Sequence, residues 1–327
     1  MKTSLVTLMS VFLLTGLFVA GCSKDEGPDE QAPVGVTDEE QAMKYFAEND
    51  AFVANDEETF TDKDVEPFDY GTFGKVDAGI TPLRWGRFVS SVTATVTTTI
   101  QPGDTMAIAE VNKEITGTLK IRAIAESGDT VTIDKPFVDH STRNIIFKRV
   151  DRNTKKYWLN WVPVATSLVE GGTVPPNNQI NITQIVLYTS TNDTITVTNP
   201  TEYFLRYRWL NLFHGGWKKN VPEFLAGQAL KLEVTLVSAS ADTDFVALRY
   251  GMGASQRKRI RLALTSETDN GDGTFTRVFE ISRIAPQYVH FHRGYFHLGL
   301  DAMTKATLFD DTAPYSVSWW GIPYRVF

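Results

Sequence analysis

From about residue 80 onward the chain alternates apolar and polar side chains with a period of two, again and again, in short runs. Ser91–Ile100 reads SVTATVTTTI and Gly117–Ala123 reads GTLKIRA. The same pattern returns in Thr130–Ile133, Asn144–Val150, Lys156–Val162, Gln179–Tyr188, Thr194–Thr198 and Glu202–Leu210. It continues through Leu230–Val237, Phe245–Tyr250, Arg257–Leu264, Thr274–Ile281, Tyr295–Leu300 and Tyr315–Trp320. Successive side chains on a strand point to opposite faces, so such runs specify strands with one face toward a core. Turn signals separate them: Pro102-Gly-Asp, Ser127-Gly-Asp, Pro175-Pro-Asn-Asn and Asp269-Asn-Gly-Asp-Gly. No strand–helix–strand rhythm interrupts the series. Many short strands at this spacing predict an all-β fold of the sandwich type.

The body is long enough for two sandwiches of ~100 residues each. The Gly pair in Phe213-His-Gly-Gly216 interrupts the strands and marks the expected break. The expected organisation is two immunoglobulin-like β-sandwich domains, 80–212 and 213–327, preceded by an acidic tether at 22–79 and a signal peptide at 1–21. One larger sandwich or barrel is the alternative.

Charge divides the chain in the same way. Residues 23–70 carry 16 acids and 3 lysines, net −13, whereas the whole chain is −7. With +1 from Lys2, residues 71–327 sum to +5, since −7 + 13 − 1 = +5. A leader so charged repels itself and stays extended. Within it, Thr37-Asp-Glu-Glu40 has the form of a capping box, followed by the apolar stripe Ala42, Met43, Tyr45, Phe46 and Ala47. That pattern predicts a short helix at about 38–48, docked on the body.

Lys2 and the apolar run Leu5–Ala20 form a start of signal-peptide length, short of the ~20 apolar residues a spanning helix needs. Cys22 is the only cysteine in 327 residues, so the fold has no internal disulfide and must rest on its core. Val19-Ala20-Gly21-Cys22 resembles the bacterial lipobox: an aliphatic residue, two small ones, then cysteine. The resemblance implies diacylglycerol on the Cys22 thiol, cleavage just before it, and acylation of the new amino group. Two or three long chains make such an anchor effectively permanent. Ser23 after the cysteine is similar to lipoproteins sent to the outer membrane. Lys24-Asp25-Glu26 looks like the export signal of surface-exposed lipoproteins of Bacteroidota. Together these imply a protein held by lipid at the outer membrane and facing the exterior. A solvated acidic linker is the plainer reading of Lys24–Glu26.

The body offers few groups that could carry chemistry. His290, His292 and His297 lie in YVHFHRGYFH. On a strand His290 and His292 share a face, ~7 Å apart, and with His297 and Asp301 they could hold a metal ion. A lone His-x-His is a weak motif. Asp269-Asn-Gly-Asp-Gly-Thr lacks the distant Glu of a calcium loop, and a hairpin turn explains it. In Gln256-Arg-Lys-Arg-Ile-Arg261, the side chains of Arg257, Arg259 and Arg261 share one face; Arg206 and Arg208 form a similar pair. A row of guanidinium groups can hold carboxylates or phosphates of a polysaccharide, although the solvent face of a strand looks the same. Of the tryptophans Trp158 and Trp161, and of Trp319 and Trp320, one of each pair is expected in the core and one exposed for sugar stacking. Trp161 and Trp320 are the chosen ligand contacts.

The sequence holds no Gly-x-Ser-x-Gly elbow and no phosphate-cradling Gly-x-x-x-x-Gly-Lys loop. An acidic chain with short basic runs does not fit nucleic acid. The expectation is therefore a non-enzymatic surface lipoprotein with no cofactor beyond its lipid. It would bind a polysaccharide or serve an outer-membrane protein complex. A metal-binding module built on the His cluster and a structural spacer are the alternatives.

Overall fold

The computed structural model describes residues 38–49, 66–67, 80–150, 160–189, 194–207, 217–219, 221–224, 227, 229–251, 258–284 and 295–326. Cys22, Arg257, His290, His292, the Thr37 cap and the Phe213–Gly216 break lie outside them.

The described residues are built almost wholly from antiparallel strands, as the alternation requires. Helix α1 spans Asp38–Asn49. The strands are β1 (Glu66–Pro67), β2 (Ile80–Ile100), β3 (Met106–Ala125), β4 (Thr130–Arg149), β5 (Trp161–Ser167), β6 (Val169–Thr173), β7 (Ile180–Tyr188), β8 (Thr194–Val197) and β9 (Phe204–Tyr207). They continue with β10 (Trp217–Lys219), β11 (Glu223–Phe224), β12 (Ala229–Ser238), β13 (Phe245–Gly251), β14 (Lys258–Arg261), β15 (Ala263–Asp269) and β16 (Phe275–Ile284). Strand β17 (Tyr295–Met303), helix α2 (Lys305–Phe309) and strand β18 (Val317–Val326) complete the order.

Two sheets form. The larger runs β1-β2-β3-β4-β6-β18-β17-β13-β14, with β5, β9, β10 and β11 as side branches; the smaller runs β15-β16-β12-β7-β8. This order cuts across the two expected stretches, 80–212 and 213–327. In the larger sheet β6 pairs with β18, and in the smaller β7 pairs with β12, so each sheet takes strands from both halves. Residues Thr37–Phe327 are one compact unit. A chain break at a Gly pair is a local signal; pairing across it is not, and here pairing decides the organisation.

The three longest strands form one meander, β2-β3-β4, of 21, 20 and 20 residues. Its turns are made where the sequence places Gly and Asp: Gly103 and Asp104 have φ of +95° and +52°, and Gly128 has +87°. Successive positive φ suits a tight hairpin because it matches the twist of the flanking strands. Irregular pairing at Pro82/Arg84 and Val89/Ser91 lets β2 bend along β3. Further on, Asp269 and Asp272 turn the β15–β16 hairpin by accepting from the Gly271 and Thr274 backbone N–H at 2.8 and 2.9 Å. Their carboxylates serve the turn.

Three cores result. Leu232, Val234 and Leu236 of β12, Ile182 and Ile185 of β7 and Phe279 of β16 pack against Val246, Leu300 and Trp320 of the larger sheet. On the opposite face of β13, β17 and β18, a second core gathers Phe245, Met303, Val317 and Trp319 with Trp85, Ile115, Leu119 and Phe137 of the meander. Thus β2 and β13, with five strands between them in the sheet order, meet: the Trp85 and Phe245 rings lie edge-on at 5.6 Å. The larger sheet therefore bends back over its own inner face. Strand β18 is covered on both sides, which is why its sequence, VSWWGIPYRV, is a nearly continuous apolar run.

The third core seats α1. Met43 and Ala47 are buried against Ala107, Ala109, Ile145, Phe147 and Trp161, and the Phe46 ring meets Phe147 edge-on at 5.5 Å. Small alanines on β3 leave room for the helix, and Glu39 pairs with Arg149 at 2.9 Å. The docked helix matches the expectation from the acidic leader, except that Tyr45 points outward and is 63% exposed.

Candidate functional site

A groove of about 500 Å³ lies where the start of β4, the end of β6 and the loop from α2 to β18 converge. Val138, Pro136, Pro175 and Pro314 give it apolar walls, and Asp134, Asn177 and Asp311 stand at its polar positions. Its floor is a stacked pair, Phe137 and Tyr315, with centroids 4.8 Å apart and planes 24° apart. The size suits a small ligand or one or two units of a polymer.

The walls are held by polar groups spent on the backbone. Lys135 is buried, and its Nζ donates to the carbonyls of Ala306, Asp310 and Ala313. It thereby ties the C-terminal end of α2 to the loop that follows it. Burial lowers the Lys135 pKa to about 8, against the opposing pull of Asp310 and Asp311. Asp310 shapes the rim itself: its Oδ1 accepts from the Thr312 N–H at 2.8 Å and the Thr312 hydroxyl at 2.7 Å. At the other end of α2, the Thr304 hydroxyl accepts from the Thr307 N–H at 3.4 Å.

Behind the floor sits Asp139, fully buried on β4. Its Oδ2 accepts from Arg87 Nη2 at 2.7 Å and from the Tyr315 hydroxyl at 3.2 Å; its Oδ1 accepts from the Thr173 hydroxyl at 3.3 Å. The Val317 N–H donates to the same Thr173 oxygen at 3.0 Å. One carboxylate thus joins β2, β4, β6 and Tyr315 in the loop before β18. Burial pushes its pKa up to about 6, against the lowering pull of Arg87. Burial likewise raises the Tyr315 hydroxyl well above its ordinary value.

Beyond Arg87 the same inner face is lined with guanidinium groups. Arg87 lies 3.9 Å from Asp301, and Asp301 also pairs with Arg249. Arg259 stacks on the Trp85 ring at 3.5 Å, and Arg261 lies 5.6 Å from the Phe245 centroid. Arg143, on the inward face of β4, is buried.

These positions revise the residues singled out from sequence. Arg259 and Arg261 are half-buried and turned onto aromatic rings, where a solvent-facing row was expected. Trp161 and Trp320 are 4% and 2% exposed, so neither offers a ring to a sugar. Trp161 packs beneath α1, and Trp320 lies between the two sheets. Trp319, expected to alternate with Trp320 between core and solvent, is also buried, because both faces of β18 are covered. Of the histidines, His297 is placed by backbone register only, opposite Pro323 and Gly251. Asp301, their suggested fellow ligand, is instead the counter-ion of Arg249.

Asp139, Thr173, Tyr315 and Lys135 were missed. The signal was present in DKPFVDHST: the inward parity that carries Phe137 also carries Lys135, Asp139 and Ser141. A charge at a position that alternation assigns to the core is the mark of a buried polar network.

No protein-family model matches the chain. No curated protein matches it. Among solved structures, a fragment of extended-synaptotagmin 2 holding its SMP domain and two C2 domains is similar at 9% sequence identity, covering 87% of this chain and 95% of that one. The TM-score is 0.12, at which the likeness carries no argument about fold or function.

Proposed function

We propose that this chain is a lipid-anchored outer-membrane protein of the cell surface that binds a neutral polysaccharide and does not cleave it. The observation that carries the binding reading is the groove of about 500 Å³ between β4, β6 and the α2–β18 loop. Proline and valine walls suit the C–H faces of a sugar ring, while an amide and two carboxylates suit its hydroxyls. Both charges among the groove's exposed side chains, Asp134 and Asp311, are negative, so a uronate or sulfated chain is repelled there. Binding is favoured over hydrolysis because the oxygens of the perturbed carboxyl, Asp139, accept from Arg87, Tyr315 and Thr173 and lie behind the groove floor. The anchor reading rests on the lipobox resemblance at Cys22.

Calorimetric titration of residues 23–327 against mannan, dextran and polygalacturonate tests the binding. A neutral polymer is expected to bind, and Asn177→Ala/Asp311→Ala to weaken it at least tenfold. Binding of polygalacturonate alone, or no loss in the variant, contradicts the reading. For the anchor, labelled fatty acid is expected on the wild-type chain and not on Cys22→Ala. Label in neither chain removes the anchor.

A further inference from the structure

The groove spends its hydrogen-bond donors inside the protein and turns its acceptors outward. Three of its residues, Pro136, Pro175 and Pro314, have no backbone N–H to offer. Its donor-bearing side chains are Lys135, Thr173, Asn177, Thr312 and Tyr315. All of these but Asn177 already donate within the chain. Lys135 is held by the carbonyls of Ala306, Asp310 and Ala313. The Thr173 and Tyr315 hydroxyls donate to Asp139, and the Thr312 hydroxyl donates to Asp310. Rim N–H groups are spent in the same way: Thr312 and Ala313 donate to Asp310 Oδ1, and Asn177 donates to the Val174 carbonyl.

The edge of β4 supplies acceptors. β4 pairs with β6 from Asp139 to Thr142, so its edge from Asp134 to Val138 runs along the groove with no strand beside it among the described residues. Alternate residues of a strand direct their main-chain groups to the same edge. The Asn144 N–H donates to Ser167 on the β5 side, and β4 keeps an unbroken register with β3 from Thr130 to Lys148. The carbonyls of Asp134, Pro136 and Val138 therefore point to that side, where the groove lies. At Pro136 a carbonyl comes without the N–H that any other residue would add. The carboxylates of Asp134 and Asp311 add further acceptors; Asp134 also lies 3.8 Å from Lys120. As donors, the Asn177 amide and the N–H groups of Asp134 and Val138 remain.

We propose that the groove selects a polysaccharide unit by its free hydroxyl groups and rejects the same unit when those hydroxyls are acylated or alkylated. The inference rests on the polysaccharide reading and narrows it. A free hydroxyl both donates and accepts, whereas an O-acetyl or O-methyl oxygen only accepts. Against carbonyls and carboxylates, a substituted sugar sets acceptor on acceptor. Polar groups that lose water without gaining a partner weaken binding steeply. The C–H faces of the sugar meet the proline walls in either case, so the discrimination lies at the polar positions.

The test titrates residues 23–327 calorimetrically with a mannan oligosaccharide and with its per-O-methylated form. The free sugar is expected to bind at least tenfold more tightly. Methyl groups also add bulk, so the pair of titrations is repeated on Asp134→Asn/Asp311→Asn. That variant keeps the side-chain shapes and replaces acceptor oxygens with amide donors, which relieves the mismatch of acceptors and leaves the bulk unchanged. Its preference for the free sugar is expected to be at least threefold smaller than that of the wild type. Both positions are exposed, and an unchanged Tm shows that the variant is folded. Should the pair not fold, Asp311→Asn alone makes the same comparison. Equal binding of the two sugars by the wild type, or a preference unchanged in the variant, overturns the inference and leaves the polysaccharide reading standing. Binding of neither sugar overturns both.

Discussion

The two faces of β13, β17 and β18 are built on different principles. Toward the smaller sheet, Leu248, Leu300, Ala302, Trp320 and Ile322 make an apolar core of ordinary kind. Toward the β2-β3-β4 meander, the same strands present Arg249 and Asp301 among aromatic rings. Apolar packing is non-directional and tolerates exchange of similar shapes. A buried ionic network is directional, and removing one member strands the others. The apolar side should therefore set stability smoothly, whereas the polar side should fix where the groove walls stand.

The largest effect expected is from Asp139→Ala. It leaves Arg87, Tyr315 and Thr173 without their common acceptor, and a loss of ~3–5 kcal/mol is expected in urea unfolding. The paired change Arg87→Met/Asp139→Leu should lose less than the single one, since no charge remains uncompensated. A double change worse than the single one would break the contrast between the two faces. Leu300→Ala, on the apolar side, should cost ~2–5 kcal/mol through its cavity alone and leave ligand binding unchanged.

Acidity gives a second separation. Burial lifts the carboxyls of Asp139 and Asp244 from 3.8 to about 6. Between those values the folded chain keeps protons that the unfolded chain has released. These two groups therefore lower stability as pH rises from about 4 through 6, each by up to ~1.4 kcal/mol for every step of one in pH across that window. Asp272, Glu233 and Asp310 are shifted downward by hydrogen bonds and act oppositely, but they are surface groups and weakly coupled. The urea midpoint is expected to be higher at pH 5 than at pH 7.5, and Asp139→Asn should shrink the difference. A midpoint that rises with pH contradicts this.

The smallest effect concerns the groove wall. Thr304→Ala removes the N-terminal cap of α2 and should cost ~1 kcal/mol in thermal unfolding. Because α2 carries one of the three carbonyls that hold Lys135 and leads into the other two, the same change should also weaken polysaccharide binding. Weaker stability with unchanged binding would detach the wall from the site.

Alternation read the all-β class and several strands closely: Gln179–Tyr188 against Ile180–Tyr188, and Leu230–Val237 against Ala229–Ser238. It fragmented β4 into Thr130–Ile133 and Asn144–Val150, because Lys135, Asp139 and Ser141 put polar groups on the inward parity between them. The expected domain division was a local reading of the same kind. Whether β6 seeks β18 or a neighbour in its own half is decided by pairing far along the chain, which no local window contains. Trp319 and Trp320 show the same limit: period two says they face apart, but not that both faces are covered. The groove was illegible because it is made by three segments, from residues 134–138, 173–177 and 311–315, that share no pattern.

The central claim is that those three segments form the ligand seat. Backbone hydrogen exchange of residues 23–327, with and without a bound mannan oligosaccharide, tests it most directly. Slowed exchange concentrated in 134–138, 173–177 and 311–315 is the expected result. Protection at β14 with none around the groove, or a uniform pattern unchanged by the sugar, would contradict it.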